Sequence, residues 1–333
     1  MIFFEEDIKG IISDPNISWE KLRERRILVT GATGLIGKIV VHVLGELNKT
    51  DNFGIKVYAM GRNTEKGHAL EQISGVKFIS VDIRERTALP SADYIIHCAA
   101  VTESARMVAE PIEVIDIELQ GGKNILEFAR VNNVHGIVYT SSMEVYGTLD
   151  VPEVHEEDLG YMDLKSPRSS YPQSKRMMET ICNCYYSQYS VPVNIVRLGM
   201  CFGAGADFMN DKRVWAQFAR YAKKGSPIIL HTTGESLSSV VYTADAIRGI
   251  FLVLLGEKRG ETYNIASVRL TIREIAERVA KKFALKVIIV PVETGKYARD
   301  FKLPLNSDRI KSLGWKPAVT QIEDMFERMI KEI

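Results

Sequence analysis

The chain has 333 residues, with 43 lysines and arginines against 42 aspartates and glutamates and a formal net charge of +1. At roughly 150 residues per domain, that length allows two modest domains or one large α/β unit with an appendage. A near-neutral chain without blocks of like charge excludes a nucleic-acid-coating protein, a polybasic membrane binder and an acidic tail. The 46% hydrophobic and 26% charged content excludes a disordered chain.

The first residues, Met1-Ile2-Phe3-Phe4-Glu5-Glu6-Asp7, carry acid where a secretory signal needs base. No apolar run approaches the roughly 18 residues of a membrane span. Four irregularly spaced cysteines, Cys98, Cys182, Cys184 and Cys201, suit neither a disulfide framework nor a zinc knuckle. These features predict a soluble cytoplasmic protein that holds no metal and binds neither nucleic acid nor membrane.

After an amphipathic leader ending near Arg25, short β-rich runs alternate with helical stretches. Ile27–Thr30, Lys56–Met60, Val76–Ser80, Tyr94–His97 and Gly136–Thr140 read as buried strands, with helices at Leu35–Leu47 and Val108–Val131 between them. This alternation predicts right-handed βαβ crossovers and a parallel sheet covered on both faces. Ligands of such sheets bind beyond the carboxyl ends of the strands. A helix over Tyr171–Tyr189 leads to a sixth strand, Val193–Leu198. Beyond Gly199 the texture changes to a glycine-containing loop, a helix over Val214–Lys224, a short strand at Pro227–Leu230 and mixed elements up to Ile333.

The first strand runs into Gly31-Ala32-Thr33-Gly34-Leu35-Ile36-Gly37 and then a helix. Glycines at the first and fourth positions permit a tight turn and close approach to a pyrophosphate, and the third lets helix and strand pack. Free N–H groups and the dipole at the helix N-terminus favour an anion. The fold class predicted is therefore α/β: a Rossmann-type doubly wound parallel sheet over residues 1–198, receiving about 239–258 as well. A smaller mixed α/β cap over 199–333 completes the chain. At the tip of the second strand, Gly61-Arg62-Asn63 has no acid for the adenosine ribose hydroxyls. The Arg62 guanidinium suits a 2′-phosphate, so NADP is favoured over NAD, with both kept open.

Ser142 lies in Thr140-Ser141-Ser142-Met143-Glu144 after the fifth strand, and Tyr171-Pro172-Gln173-Ser174-Lys175 begins the next helix. Residues four apart share a helix face, and a lysine cation beside a phenol favours the phenolate, a usable general base. Ser142 can hydrogen-bond the same substrate oxygen. With the glycine turn, the Ser142 segment and Tyr171/Lys175 in this order, the chain resembles the extended short-chain dehydrogenase/reductase family, and within it the nucleotide-sugar epimerase/dehydratase branch.

The resemblance covers nearly the whole chain, including Asp82-Ile83, His97-Cys98-Ala99-Ala100, Arg197 to Gly205 and Leu313-Gly314-Trp315. It implies that Asp82 and Ile83 flank the adenine and that Cys98, Ala99 and Ala100 lie beside the cofactor. It implies transient oxidation at sugar C4, with Tyr171 taking the hydroxyl proton, Lys175 supporting it and Ser142 positioning the hydroxyl. Glu144 stands where the family's 4,6-dehydratases carry the base for the C5 proton. Met143 stands where some of them carry an acid, and a thioether cannot donate a proton. Pro167-Arg168-Ser169-Ser170-Tyr171 resembles the decarboxylase branch, in which Arg168 would contact a carboxylate. Homodimerisation is also implied.

Three positions depart from the family. Its asparagine on the central helix is Glu118, ahead of Leu119-Gln120-Gly121; the one after the sixth strand is Met200; the arginine that clamps the substrate diphosphate is Ser238. Arg213, Arg299 and Arg309 are candidates to replace that clamp. The expected activity is an NDP-sugar 4,6-dehydratase or a UDP-glucuronate-type decarboxylase, with a 4-epimerase, an NADPH-dependent carbonyl reductase and a dinucleotide sensor as alternatives.

Overall fold

A computed structural model describes residues 2–290 and 301–332, so Arg299 lies outside the described residues. The leader is helix α1 (Ile2–Ile12), and then β1 (Arg26–Thr30), α2 (Leu35–Asp51), β2 (Lys56–Gly61), α3 (Thr64–Leu70), β3 (Val76–Ser80) and β4 (Tyr94–His97) follow. Next come α4 (Ser104–Ala109), α5 (Pro111–Asn132), β5 (Gly136–Ser142), α6 (Ser170–Tyr189) and β6 (Val193–Leu198). The helix expected from Val108 is thus two helices. Pro111 occupies the first turn of α5, where its missing N–H costs nothing, and its ring cannot continue α4.

The remaining elements are β7 (Met200–Phe202), α7 (Val214–Lys224), β8 (Ile228–Leu230), β9 (Leu237–Tyr242), α8 (Thr243–Leu255), β10 (Thr262–Ile265) and β11 (Val268–Thr271), then α9 (Ile272–Lys282), β12 (Val287–Ile289), α10 (Asp308–Lys311) and α11 (Ile322–Lys331). The main sheet has seven strands in the order β10-β6-β5-β4-β1-β2-β3, every pair parallel. Its central strands are apolar along their length, as a sheet covered on both faces requires: Ile27, Leu28, Val29, Ile95, Ile96 and Val138 are fully buried. The strand order reverses between β1 and β4, and the crevice at such a switch point is where ligands bind.

The return to the main sheet differs from the sequence expectation in one respect. Helix α8 does pack on it, but residues 237–242 pair with β7 and β11 in a small separate sheet, and β10 supplies the added edge strand. Strands β8 and β12 form a second small sheet. Helix α9 starts with a capping box between Thr271 and Glu274.

The first and last helices are clasped together behind the sheet. Asp7 of α1 accepts from the Tyr242 hydroxyl at 2.5 Å and from Arg328 of α11 at 3.0 Å, while the Phe3 and Phe4 amides donate to Glu332. Among the described residues no helix is long and apolar enough to cross a membrane, and no cluster of His, Cys, Asp or Glu is suited to a metal ion.

Candidate active site

A cleft of about 1720 Å³ runs along the carboxyl edge of the main sheet and under the cap. A site for one small ligand occupies about 300–1,000 Å³, so this cleft has room for two ligands end to end.

Its floor is main chain. Gly31 has φ +66°, and a Cβ there would stand 2.8 Å from Ala99 Cα; a Cβ on Gly37 would stand 2.4 Å from the Gly31 carbonyl oxygen. The turn, the first coil of α2 and the loop after β4 therefore touch backbone to backbone, which only glycine allows. Thr33, Gly34, Leu35 and Ile36 line the cleft beside them, and the first amides of a helix have no partner within it. Thr30 ties the two strands of the switch point together: its hydroxyl oxygen accepts from the amides of Cys98 and Ala99 at 3.2 Å and meets His97 Nδ1 at 2.6 Å. Burial, aided by Lys175, pushes the His97 imidazole down to about 3, so it is neutral, and its buried Nε2 has no partner among the described residues. Cys98, Ala99 and Ala100 form the facing wall. This cradle, with no room for a Cβ at its two tightest points, fits a dinucleotide diphosphate.

At the far end lie Arg62, Asp82 and Ile83, with Asn63 and Lys66. Arg84 bonds Asp82 through Nε and Nη2 and leads in holding that carboxyl down to about 2. Arg62 is half-exposed, 3.2 Å from Glu113 and 3.9 Å from Asp82.

At the near end β5 and α6 converge. The Ser142 hydroxyl accepts from the Glu144 amide at 3.2 Å, capping a 3₁₀ turn over Met143–Tyr146 that turns Glu144 into the cleft. Tyr171 and Lys175 project from the first turns of α6. The Lys175 ammonium donates to the Thr140 carbonyl at 2.8 Å and lies 5.9 Å from the centre of the Tyr171 ring. Burial, then the charges of Glu144 and Glu118, raise the Tyr171 phenol above its ordinary value, against its hydrogen bond with Ser142 and the charge of Arg168. Arg168 grips both oxygens of Glu144, at 2.8 and 2.9 Å. Burial pushes the Cys98 and Cys201 thiols in the cleft wall up to about 12 and about 11, so neither is a ready nucleophile.

The four positions expected to bind substrate fare differently. Arg168 and Met200 line the cleft; so does Arg213, whose guanidinium is already engaged by both oxygens of Asp211. Ser238 is withdrawn from the site: it is fully buried, its hydroxyl 4.0 Å from the Met143 sulfur, and it does not line the cleft. Arg309 is tied to Glu156 and Glu157, also away from the cleft. Sequence reasoning missed Lys66 and Trp215, both in the lining. The buried Trp215 indole N–H has no partner among the described residues, a property no local pattern announces. It also missed the partner of Lys175: Glu118, 3.1 Å away. The departure from asparagine at that position was the available signal.

Comparison with known proteins bears on the whole chain. UDP-N-acetyl-alpha-D-glucosaminuronate decarboxylase of Bacillus cytotoxicus is 27% identical over 312 residues, 91% of this chain and 92% of the relative. UDP-glucuronic acid decarboxylase 6 of Arabidopsis thaliana is 28% identical over 88% of this chain and 84% of its own length. Among solved structures, a dTDP-glucose 4,6-dehydratase from Streptomyces venezuelae with NAD and TYD bound superposes with a TM-score of 0.78 at 26% identity, covering 92% of this chain and 96% of that one. Residues 27–266, which carry the glycine turn, Ser142, Tyr171 and Lys175, match one family throughout, and the chain belongs to the NAD dependent epimerase/dehydratase family.

Proposed function

We propose that the protein is a nucleotide-sugar lyase acting through transient oxidation at sugar C4, and that it decarboxylates a UDP-glucuronate-type substrate. The observation that carries this reading is the pair formed by Arg168 and Glu144 beside Ser142 and Tyr171, with Met143 where an acid would serve dehydration. On this reading residues 1–198, with α8 and β10, hold the dinucleotide and the rest forms the substrate cap.

The glycine turn and the α2 N-terminus would hold the cofactor diphosphate, Lys175 the nicotinamide ribose, and Asp82 and Ile83 the adenine. When bound, the nicotinamide takes up a hydride from the sugar and can return it. Ser142 holds the C4 hydroxyl while Tyr171 accepts its proton. Arg168 swings from Glu144 to the C6 carboxylate, keeping it charged and in place. A β-keto acid then loses carbon dioxide without an acid catalyst, leaving an enolate, and Glu144, freed of its partner, relays a proton from water to C5 in place of the lost carboxylate. Dehydration is the second reading, favoured by Glu144 itself. It would need Glu144 or water to return a proton to the departing hydroxyl, since the Met143 thioether has none to give.

For the substrate diphosphate, Lys212, Arg213 and the unpartnered Trp215 N–H lie on the cap side of the cleft and supply donors where the family arginine is missing. Arg62 and Lys66 favour NADP over NAD. Exposed Ile112, Val131, Met177 and Tyr189 on α5 and α6 support a homodimer formed through these helices. The four cysteines are unpaired, which suits the cytoplasm. The test is incubation with a panel of UDP-, dTDP-, GDP- and CDP-sugars followed by mass spectrometry. Loss of carbon dioxide supports the first reading and loss of water the second. Unchanged mass with an inverted hydroxyl would point to epimerisation, and stoichiometric NADPH consumption to a carbonyl reductase.

A further inference from the structure

Behind the catalytic face of α6, Lys175 of the cleft lining reaches two polar groups that stand outside that lining, Glu118 and Tyr139. The Lys175 side chain, 2% exposed, pairs at 3.1 Å with Glu118 of α5, whose side chain is equally buried. The Tyr139 hydroxyl of β5 donates to the same carboxylate oxygen, and the Lys175 ammonium stands 4.6 Å from the centre of the Tyr139 ring. Close helix packing makes this pairing possible, because Gly122 leaves room for Met178 of α6 where a Cβ would stand 2.3 Å from its sulfur.

The other groups facing this set are few. From β4 and the loop after it come the neutral His97 and Cys98. From α6 come Cys182 and Glu179, the latter already bonded to Arg197 and Ser141. From the cleft side come Ser142, Glu144 and Arg168. Lys175 and Glu118 are therefore each other's principal charge.

A buried ammonium needs a counter-charge, which gives Glu118 a structural share in the fold. Its electrostatic consequence goes further. Lys175 favours a phenolate at Tyr171 only to the extent that it presents net positive charge. A carboxylate 3.1 Å away turns that charge into a neutral pair whose negative end sits in the same dry interior. We propose that Glu118 is a positioning residue that sets the pH at which Tyr171 accepts a proton, by cancelling the charge of Lys175 from behind. This rests on Tyr171 being the base of the proposed reaction. The Glu118 charge also helps to raise the phenol.

Glu118→Gln keeps an oxygen for Lys175 and Tyr139 and removes only the charge; Glu118→Asn does the same in a smaller volume, should the glutamine variant fail to fold. The readout is the titration of Tyr171 in protein labelled with ¹³C at tyrosine Cζ, assigned by the resonance lost in Tyr171→Phe and followed without cofactor or substrate. An opposite charge within a few ångströms moves a titration by about 1–3 units, so the Tyr171 midpoint is expected to fall by about one pH unit or more in either variant. The acid limb of kcat/KM should move the same way. Tyr139→Phe, which leaves Glu118 charged, is expected to cause no such fall. A variant midpoint no lower than the wild type's, or an equal fall in Tyr139→Phe, overturns the proposal. A wild-type protein inactive on every nucleotide sugar would count against the reaction while leaving this titration readable.

Discussion

Around the glycine turn the walls of the cleft are main chain: Gly31 and Gly37 bring three backbone segments into contact, and Thr30 bonds two amides across the switch point. Elsewhere in the cleft the polar surface is side chains that hold one another, Arg168 on Glu144 and Arg213 on Asp211. A site made of backbone is complete before any ligand arrives and tolerates little change in shape. A site made of paired ions must release one partner to take a ligand, so it discriminates by charge and stays adjustable.

Four substitutions would break or sharpen that contrast. Tyr171→Phe, at the seam between the halves, should lower kcat by about 10²–10⁴-fold, the usual worth of a positioned general base. Cofactor affinity, measured by calorimetry, should be nearly kept; unchanged turnover would remove the chemistry from α6 altogether. Arg168→Met should raise KM for a uronic-acid sugar by about 10–100-fold, the equivalent of a hydrogen bond to a charged group at about 1.5–3 kcal/mol, and leave neutral sugars nearly unaffected. Equal effects on both would mean that Arg168 serves Glu144 alone.

Gly37→Ala tests the backbone half with a single methyl group. Overpacking of this kind costs about 1–3 kcal/mol, read as a lower Tm, and should weaken dinucleotide binding as well. If thermal stability and binding both survive, the cradle is softer than its contacts indicate. The smallest effect belongs to Arg62→Ala. Exposed ion pairs are worth about 1 kcal/mol or less, so the ratio of NADP to NAD affinity should fall by at most several-fold. A rise in that ratio would assign Arg62 to NAD.

The same contrast explains what could be read from the chain alone. Strands such as Ile27–Thr30 and Tyr94–His97 are buried on both faces and show as unbroken apolar runs, and a backbone anion site leaves its mark as glycines at fixed spacing. Lys175 was legible from its spacing to Tyr171. Its partner was not, because Glu118 lies 57 residues earlier and only the packing of α5 on α6 brings the two together. The three-residue strands β7, β8 and β12 are too short for periodicity to register. Ser238 illustrates the opposite failure. The family resemblance puts it at the diphosphate clamp, but a buried serine beneath Met143 has no reach into the cleft.

The clasp of α1 on β9 and α11 has a consequence for the whole molecule in acid. Burial raises the Asp7 carboxyl from its ordinary 3.8 to about 6, although the Tyr242 hydroxyl and Arg328 pull the other way. The folded protein therefore keeps a proton there that the unfolded chain has already given up. Linkage then makes this contact's contribution full below about pH 4, declining as pH rises toward 6, and lost above it. The back of the sheet is a clasp that protonation tightens, so the slope of Tm between pH 4 and 6 should be less negative, or more positive, in Asp7→Asn than in the wild type.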